Sequence, residues 1–246
     1  MKIIAVIPAR YESSRFPGKP LADINGKLMI ELVYHQVLKV KEISEVFVAT
    51  DDDRIMNACK ERGVQAIMTS KEHRTGTDRL GEVASRIPAD VYVNVQGDEP
   101  MIEPDNIRTV IEPFLEGKKV DVTNLMSKIT NPIELHNPTV VKVVTNNECV
   151  GVFLSRSPIP FPKGSIEYDY FKQLGVYAFT KEALLFFSEY GKKHGKAKIE
   201  SVEDVEILRF IENGYKVIYR AVESSSLSVD TQKDLEKVRN IMKLQK

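Results

Sequence analysis

The sequence predicts a doubly wound α/β fold on a mostly parallel sheet. Short β-branched runs alternate with helix-length amphipathic stretches through the first half of the chain, the signature of βαβ units. The first run, Ile3-Ile4-Ala5-Val6-Ile7, is apolar throughout, as a strand buried on both faces should be. The 246 residues are 42% hydrophobic and 28% charged, an ordinary globular balance. A chain of this length buries roughly 70% or more of its extended surface without needing disulfides or metals.

After the first strand comes a loop rich in Pro, Arg, Ser and Gly. Residues 28–40 then carry Leu28, Leu32, Val33, Val37 and Leu38 at the spacing of a helix packed on a sheet. Residues 46–50 read as a strand and 52–62 as a helix stopped by Gly63. Strand, helix and strand follow at 65–68, 77–87 and 91–95. From about residue 118 the rhythm changes. Residues 121–129, 140–144 and 150–154 read as strands with little helix between them, which predicts antiparallel strands or an arm, and Asn146-Asn147 turns one hairpin. Ser157-Pro158-Ile159-Pro160-Phe161-Pro162 is a stiff loop, because proline fixes φ and removes donors. A strand at 174–179, helices at 181–189 and 200–213, a strand at 216–219 and a helix from 231 complete the expectation.

Thirty-five Lys and Arg balance thirty-five Asp and Glu, so no global field draws the protein to nucleic acid or anionic lipid. The apolar runs are far shorter than the ~20 residues that span a bilayer, and Met1-Lys2 leads straight into a strand pattern. A cytoplasmic location, with no nucleic acid and no membrane among the partners, is expected. Two cysteines, Cys59 and Cys149, form no CxxC pair, which disfavours a disulfide framework or a zinc site.

Three segments carry candidate chemistry. The loop Pro8-Ala9-Arg10-Tyr11-Glu12-Ser13-Ser14-Arg15-Phe16-Pro17-Gly18-Lys19-Pro20 follows the first strand, where an open α/β sheet places its ligand crevice. Its cations Arg10, Arg15 and Lys19, with serine hydroxyls, suit a polyphosphate, although a solvated basic loop has the same residue types. It lacks the GxxxxGK[ST] form of a P-loop. Strand 91–95 ends in Gln96-Gly97-Asp98, which places a carboxylate at the same sheet edge. Asp98 is the first magnesium ligand to consider, because that ion prefers oxygen donors and is often held by one or two carboxylates plus substrate phosphates; a simple strand-ending turn is the alternative. Asp230, in Leu227-Ser228-Val229-Asp230-Thr231, reads first as a helix N-cap. Asp51-Asp52-Asp53 likewise reads as a helix cap.

Taken in order, Pro8-Ala9-Arg10, Pro17-Gly18-Lys19-Pro20-Leu21, Val48-Ala49-Thr50-Asp51, Thr75-Gly76-Thr77-Asp78-Arg79, Val95-Gln96-Gly97-Asp98-Glu99-Pro100, Val141-Lys142-Val143-Val144, Leu154-Ser155-Arg156, Leu174-Gly175-Val176-Tyr177-Ala178 and Val229-Asp230-Thr231 resemble the 3-deoxy-manno-octulosonate (Kdo) cytidylyltransferases. The resemblance runs from residue 3 to about residue 240. It implies an enzyme that joins CTP to the sugar acid Kdo for lipopolysaccharide or capsule, with magnesium, as a homodimer. It also implies a single domain over 1–246 of nucleotidyltransferase (Rossmann-like) type, with about 120–180 as an antiparallel dimerisation arm and sugar-binding subregion.

By the same resemblance, Arg10, Ser14, Arg15 and Lys19 bind the triphosphate, and Arg15, Lys19 and Asp98 are catalytic. Asp98 and Asp230 hold magnesium, which promotes Asp230 from cap to ligand. Ala9, Thr75, Gly76 and Gln96 meet cytidine. Arg156 meets the sugar carboxylate, with Gln173, Tyr177, Glu200 and Glu203 lining the sugar side. Two stretches depart from the family pattern. The usual His-Leu-Gly-Ile-Tyr-Ala-Tyr-Arg is Gln173-Leu174-Gly175-Val176-Tyr177-Ala178-Phe179-Thr180 here, and the usual Glu-Gln-Leu-Arg is Glu206-Ile207-Leu208-Arg209. Both fall in the sugar-facing half, so an 8-amino-8-deoxy Kdo or a sialic-acid-like substrate stays open. More distant readings are a nucleotide-sugar glycosyltransferase with a metal motif at Asp51-Asp52-Asp53, and a nucleotide-binding regulator without catalysis.

Overall fold

A computed structural model of the chain describes residues 1–13, 16–164, 167–223 and 227–244. They form two compact units, Met1–Arg108 with Ser226–Lys246, and Thr109–Ser225. In the first unit β1 (Ile3–Ala9) leads through a loop and a 3-10 turn (Lys19–Leu21) to two short antiparallel strands, β2 (Asp23–Ile24) and β3 (Lys27–Leu28). There follow α1 (Met29–Val37), β4 (Glu45–Thr50), α2 (Asp53–Glu61), β5 (Ala66–Met68), α3 (Gly76–Arg86) and β6 (Val91–Val95), and then α4 (Pro104–Leu115), whose first turn belongs to this unit and whose remainder, from Thr109, belongs to the second. Strands β6, β1, β4 and β5 lie side by side in that order, all parallel. Ile3 to Ile7 are at most 1% exposed, so the all-apolar run is buried as its composition predicts.

Local chemistry sets the helix limits. Asp52 caps α2 by accepting from the Arg54 N–H at 2.9 Å, and Gly63, at φ +67°, closes it. Thr75 caps α3 by accepting from the Asp78 N–H at 3.0 Å. The sequence pattern predicts no helix between 96 and 118, yet α4 is there. Pro104 opens it at a position where a missing N–H costs nothing, and Ile107, Val110, Ile111 and Phe114 form its buried stripe.

The second unit contains β7 (Val122–Lys128), α5 (Pro132–His136), β8 (Lys142–Thr145), β9 (Gly151–Ser155), β10 (Phe171–Thr180), α6 (Lys181–His194), α7 (Lys198–Glu203), α8 (Leu208–Glu212) and β11 (Val217–Val222). The change of rhythm near 118 is real: β7 pairs with β10, β10 with β8, and β8 with β9, all antiparallel, while β11 runs parallel to β7. Asn146-Asn147 turns the β8–β9 hairpin. The helix expected over 200–213 is two helices, because Asp204 takes a left-handed φ of +50° and breaks the path between α7 and α8.

The last segment belongs to the first unit, where α9 (Gln232–Leu244) packs against the β2–β3 hairpin. Val229, Leu235 and Val238 share a core cluster with Ile24 and Met29. Arg239 donates to the Asp23 carbonyl at 2.9 Å. Among the described residues no helix is long and apolar enough to cross a membrane.

Candidate active site

Because β1 and β6 are parallel neighbours, their carboxyl ends open on one edge. Gly97 lets the two exit loops approach each other: a Cβ there would lie 3.0 Å from the Pro8 carbonyl oxygen and 3.3 Å from Ile30. Gly18, at φ +70°, donates its N–H to the Tyr11 carbonyl at 2.8 Å and turns the first loop into the 3-10 turn that carries Lys19. The Lys19 ammonium lies 2.6 Å from Asp98 Oδ2 and 3.4 Å from Asp230 Oδ1. The Val229 N–H donates to the Asp98 carbonyl at 2.9 Å, which fixes the C-terminal segment against the exit of β6.

Asp230 is not the residue that makes the capping exchange at α9. Thr231 and Asp234 do that: the Asp234 N–H donates to the Thr231 hydroxyl at 3.3 Å, and the Asp234 carboxylate accepts the Thr231 N–H at 2.9 Å. The Asp230 carboxylate reaches Lys19 instead.

Asp98 and Asp230 present hard carboxylate oxygens to one ammonium. Among the described residues no group of three or more His, Cys, Asp or Glu is placed to hold a metal. The carboxylate oxygens of Asp98 and Asp230 are the donor type that Mg2+ takes, an ion that uses one or two carboxylates and completes its shell with water and substrate phosphate. Asp51-Asp52-Asp53 is used otherwise. Asp51 pairs with the fully buried Arg79 at 2.6 Å, and Asp52 is held at a pKa of about 2 by its hydrogen bonds from Arg54. The glycosyltransferase-type metal motif loses two of its three carboxylates this way.

The remaining nucleotide-side residues fall on the same unit. Ala9 ends β1, and Gln96 follows β6. Thr75 and Gly76 start α3, and Arg10 donates from Nη2 to the Arg74 carbonyl at 2.8 Å. Ser14 and Arg15 lie outside the described residues.

The five sugar-side residues fall on the second unit. Arg156 donates through all three guanidinium nitrogens to the carbonyls of Glu203 (2.7 Å), Pro138 (2.9 Å) and Asp204 (3.0 Å), which orients the head and leaves Nη1 and Nη2 with further N–H groups. Glu203 accepts from the Ser155 hydroxyl and the Arg156 N–H at 2.7 and 2.8 Å. Beneath them lies a residue the sequence reading did not single out. Lys142 is fully buried and donates to the carbonyls of Asn137, Val140 and Arg156. Burial and the neighbouring Arg156 lower its pKa.

Glu200 requires a correction. It is 0% exposed, and both oxygens are taken by Arg209, at 2.6 and 2.7 Å, so it holds α7 to α8 and is closed to sugar hydroxyls. The departure at Ile207 is likewise a packing position, 2% exposed. Gln173 donates to Asn124 Oδ1 at 2.9 Å, while Asn124 Nδ2 donates to the carbonyls of Leu174 and Val176. Together they clamp the register shift between Gln173 and Tyr177. Tyr177 stacks on Phe179 with ring centroids 6.0 Å apart.

Comparison with known proteins identifies the family. The family model described as Cytidylyltransferase matches residues 4–224. The chain is 44% identical to a 3-deoxy-manno-octulosonate cytidylyltransferase of Geobacter sulfurreducens, covering 99% of this chain and all of that one. It is 42% identical to one from Escherichia coli, over 98% and 96% of the two chains. A solved structure of a CMP:2-keto-3-deoxy-manno-octonic acid synthetase complexed with CTP superposes over 100% of both chains at a TM-score of 0.94 and 40% identity. With a parallel sheet edge that gathers a lysine and two aspartates, and with matches along its whole length, the chain belongs to the cytidylyltransferase family.

Proposed function

We propose that this chain couples CTP to Kdo, giving CMP-Kdo and pyrophosphate for lipopolysaccharide or capsule synthesis. The reading rests above all on Lys19, whose ammonium gathers Asp98 and Asp230 at the carboxyl edge of β1 and β6. Its substrate comes from relatives named for Kdo at over 40% identity along the full chain.

In this reading Arg10, Ser14, Arg15 and Lys19 hold the triphosphate, and Ala9, Thr75, Gly76 and Gln96 frame cytidine. Arg156 takes the sugar carboxylate, with Tyr177, Gln173 and Glu203 around the rest of the sugar, and Glu200 acts through its packing. The anomeric hydroxyl at C2 attacks the α-phosphorus. One oxygen–phosphorus bond forms, the bond to the β-phosphate bridging oxygen breaks, and the hydroxyl proton passes to water. No protein nucleophile is needed, so the residues work by positioning and by neutralising charge. Asp98 and Asp230 would hold Mg2+, which supplies charge neutralisation at the phosphates when bound. Lys19 and Arg15 balance the charge on the departing pyrophosphate.

We further propose that residues 1–246 act as one cytidylyltransferase domain, in the cytoplasm, as a homodimer. The subregion 120–180 carries the exposed apolar side chains Val152, Phe161 and Tyr168, which suit a dimer surface.

The test is pyrophosphate release from CTP with Kdo, 8-amino-8-deoxy Kdo and nine-carbon sugar acids in parallel. Release that depends on Kdo and on CTP is expected. Faster release with a nine-carbon acid, or equal rates with ATP or UTP, would overturn the substrate assignment.

A further inference from the structure

Thr69, at the start of the segment between β5 and α3, bonds to the Thr50 carbonyl and to Arg79, and the middle of the segment is held by Glu82. Glu82, on α3, accepts from the Ser70 N–H at 2.9 Å and from Arg86 at 3.1 Å, and its Oε2 lies 2.5 Å from His73 Nε2. Although burial pushes the other way, these bonds keep the Glu82 carboxyl below its usual range. An ionised carboxylate only accepts, so the hydrogen sits on His73 Nε2. Arg86 also donates to the Met68 carbonyl at 2.6 Å, so the end of β5 is tied to the same helix. Immediately after His73, the Arg74 carbonyl accepts from Arg10, and Thr75 caps α3.

We propose that His73 and Glu82 are a positioning pair that fixes residues 69–75 and thereby sets the Arg10 guanidinium for the phosphates of the nucleotide. The pair touches no substrate. The Arg74 carbonyl, held in place one residue beyond His73, takes one Nη2 hydrogen of Arg10 and so fixes where its other N–H groups point. This inference rests on the reading that CTP lies at the carboxyl edge of β1 and β6.

Steady-state kinetics with CTP and Kdo varied separately test it, on His73→Phe, His73→Gln, Glu82→Gln, Arg10→Ala and the double variant Arg10→Ala with His73→Phe. His73→Phe and Glu82→Gln are expected to raise the KM for CTP about tenfold, with kcat and the KM for Kdo changed less than about twofold. His73→Gln, which keeps a donor, restores much of the loss. Once Arg10 is alanine, adding His73→Phe costs little more, because the pair acts through Arg10. Additive losses in the double variant, or an unchanged KM for CTP in both His73→Phe and Glu82→Gln, overturn the positioning role while Arg10→Ala alone still raises that KM. An unchanged KM for CTP in Arg10→Ala overturns the nucleotide reading itself, and the pair with it.

Discussion

The backbone N–H of Val229 donates to the carbonyl oxygen of Asp98 at 2.9 Å. This bond joins the C-terminal segment to the exit of β6 and sets Asp230 opposite Asp98, with Lys19 reaching both carboxylates. Capping of α9 and the contact with Lys19 are therefore divided between adjacent residues. Asp230→Asn is expected to lower kcat by about 10²–10³ while leaving thermal stability close to wild type. Thr231→Val is expected to do the reverse, costing about 1 kcal/mol of stability with kcat nearly unchanged. Calorimetry and kinetics on the two variants separate the roles, and a stability loss in Asp230→Asn equal to that in Thr231→Val would contradict the division.

Lys19→Met leaves Asp98 and Asp230 facing each other without their ammonium. The contacts are partly solvated, with 18% of the lysine side chain exposed, so the loss is modest, about 1 kcal/mol or roughly 2–4 °C in Tm. Mg2+ without nucleotide should recover more Tm in this variant than in wild type, because the ion offsets the repulsion that the lysine otherwise offsets. Equal Mg2+ responses in thermal denaturation would count against a shared cation site.

The Glu200–Arg209 pair is buried at both ends, with side chains 0% and 2% exposed. Arg209→Met is expected to cost about 3–5 kcal/mol by stranding a buried carboxylate, and adding Glu200→Leu should recover much of that. Denaturant titration reads both. A single variant as stable as wild type would return Glu200 to the sugar side.

Asp52 is held at about 2, against an ordinary 3.8, chiefly by the side-chain hydrogen bond from Arg54. Its folded-state pKa is depressed, so its contribution to stability is present above pH 3.8 and is lost as pH falls towards about 2. Arg54→Gln should move the Asp52 titration midpoint, followed by carboxyl NMR, upward toward 3.8. A midpoint unmoved by that change would assign the depression to another group.

The strands of the first unit were legible because each is a short apolar run between polar loops, whereas Asp230 read first as a cap and only the family resemblance set it beside Asp98 and Lys19. Helix α4 was hidden by Pro113, a residue that reads as a breaker inside it. The division of 200–213 rests on one left-handed residue, Asp204, which no periodicity reports. Glu200, which the resemblance placed on the sugar side, and Lys142, quoted only within a motif, are both buried charges. A charged residue in a sequence reads as surface, and only tertiary structure shows that Arg209 or three backbone carbonyls already satisfy it. The capping by Thr231 and Asp234 was written in the spacing, but Asp230, one residue earlier, fits the same rule.

In the proposed reaction Asp98 and Asp230 share one divalent ion beside the triphosphate. Crystals grown with CTP and Mn2+ test it through the anomalous scattering of manganese. A peak within coordination distance of both carboxylates, with the Lys19 ammonium moved onto phosphate oxygens, is expected. A peak bound by neither aspartate, with CTP in place, would contradict it.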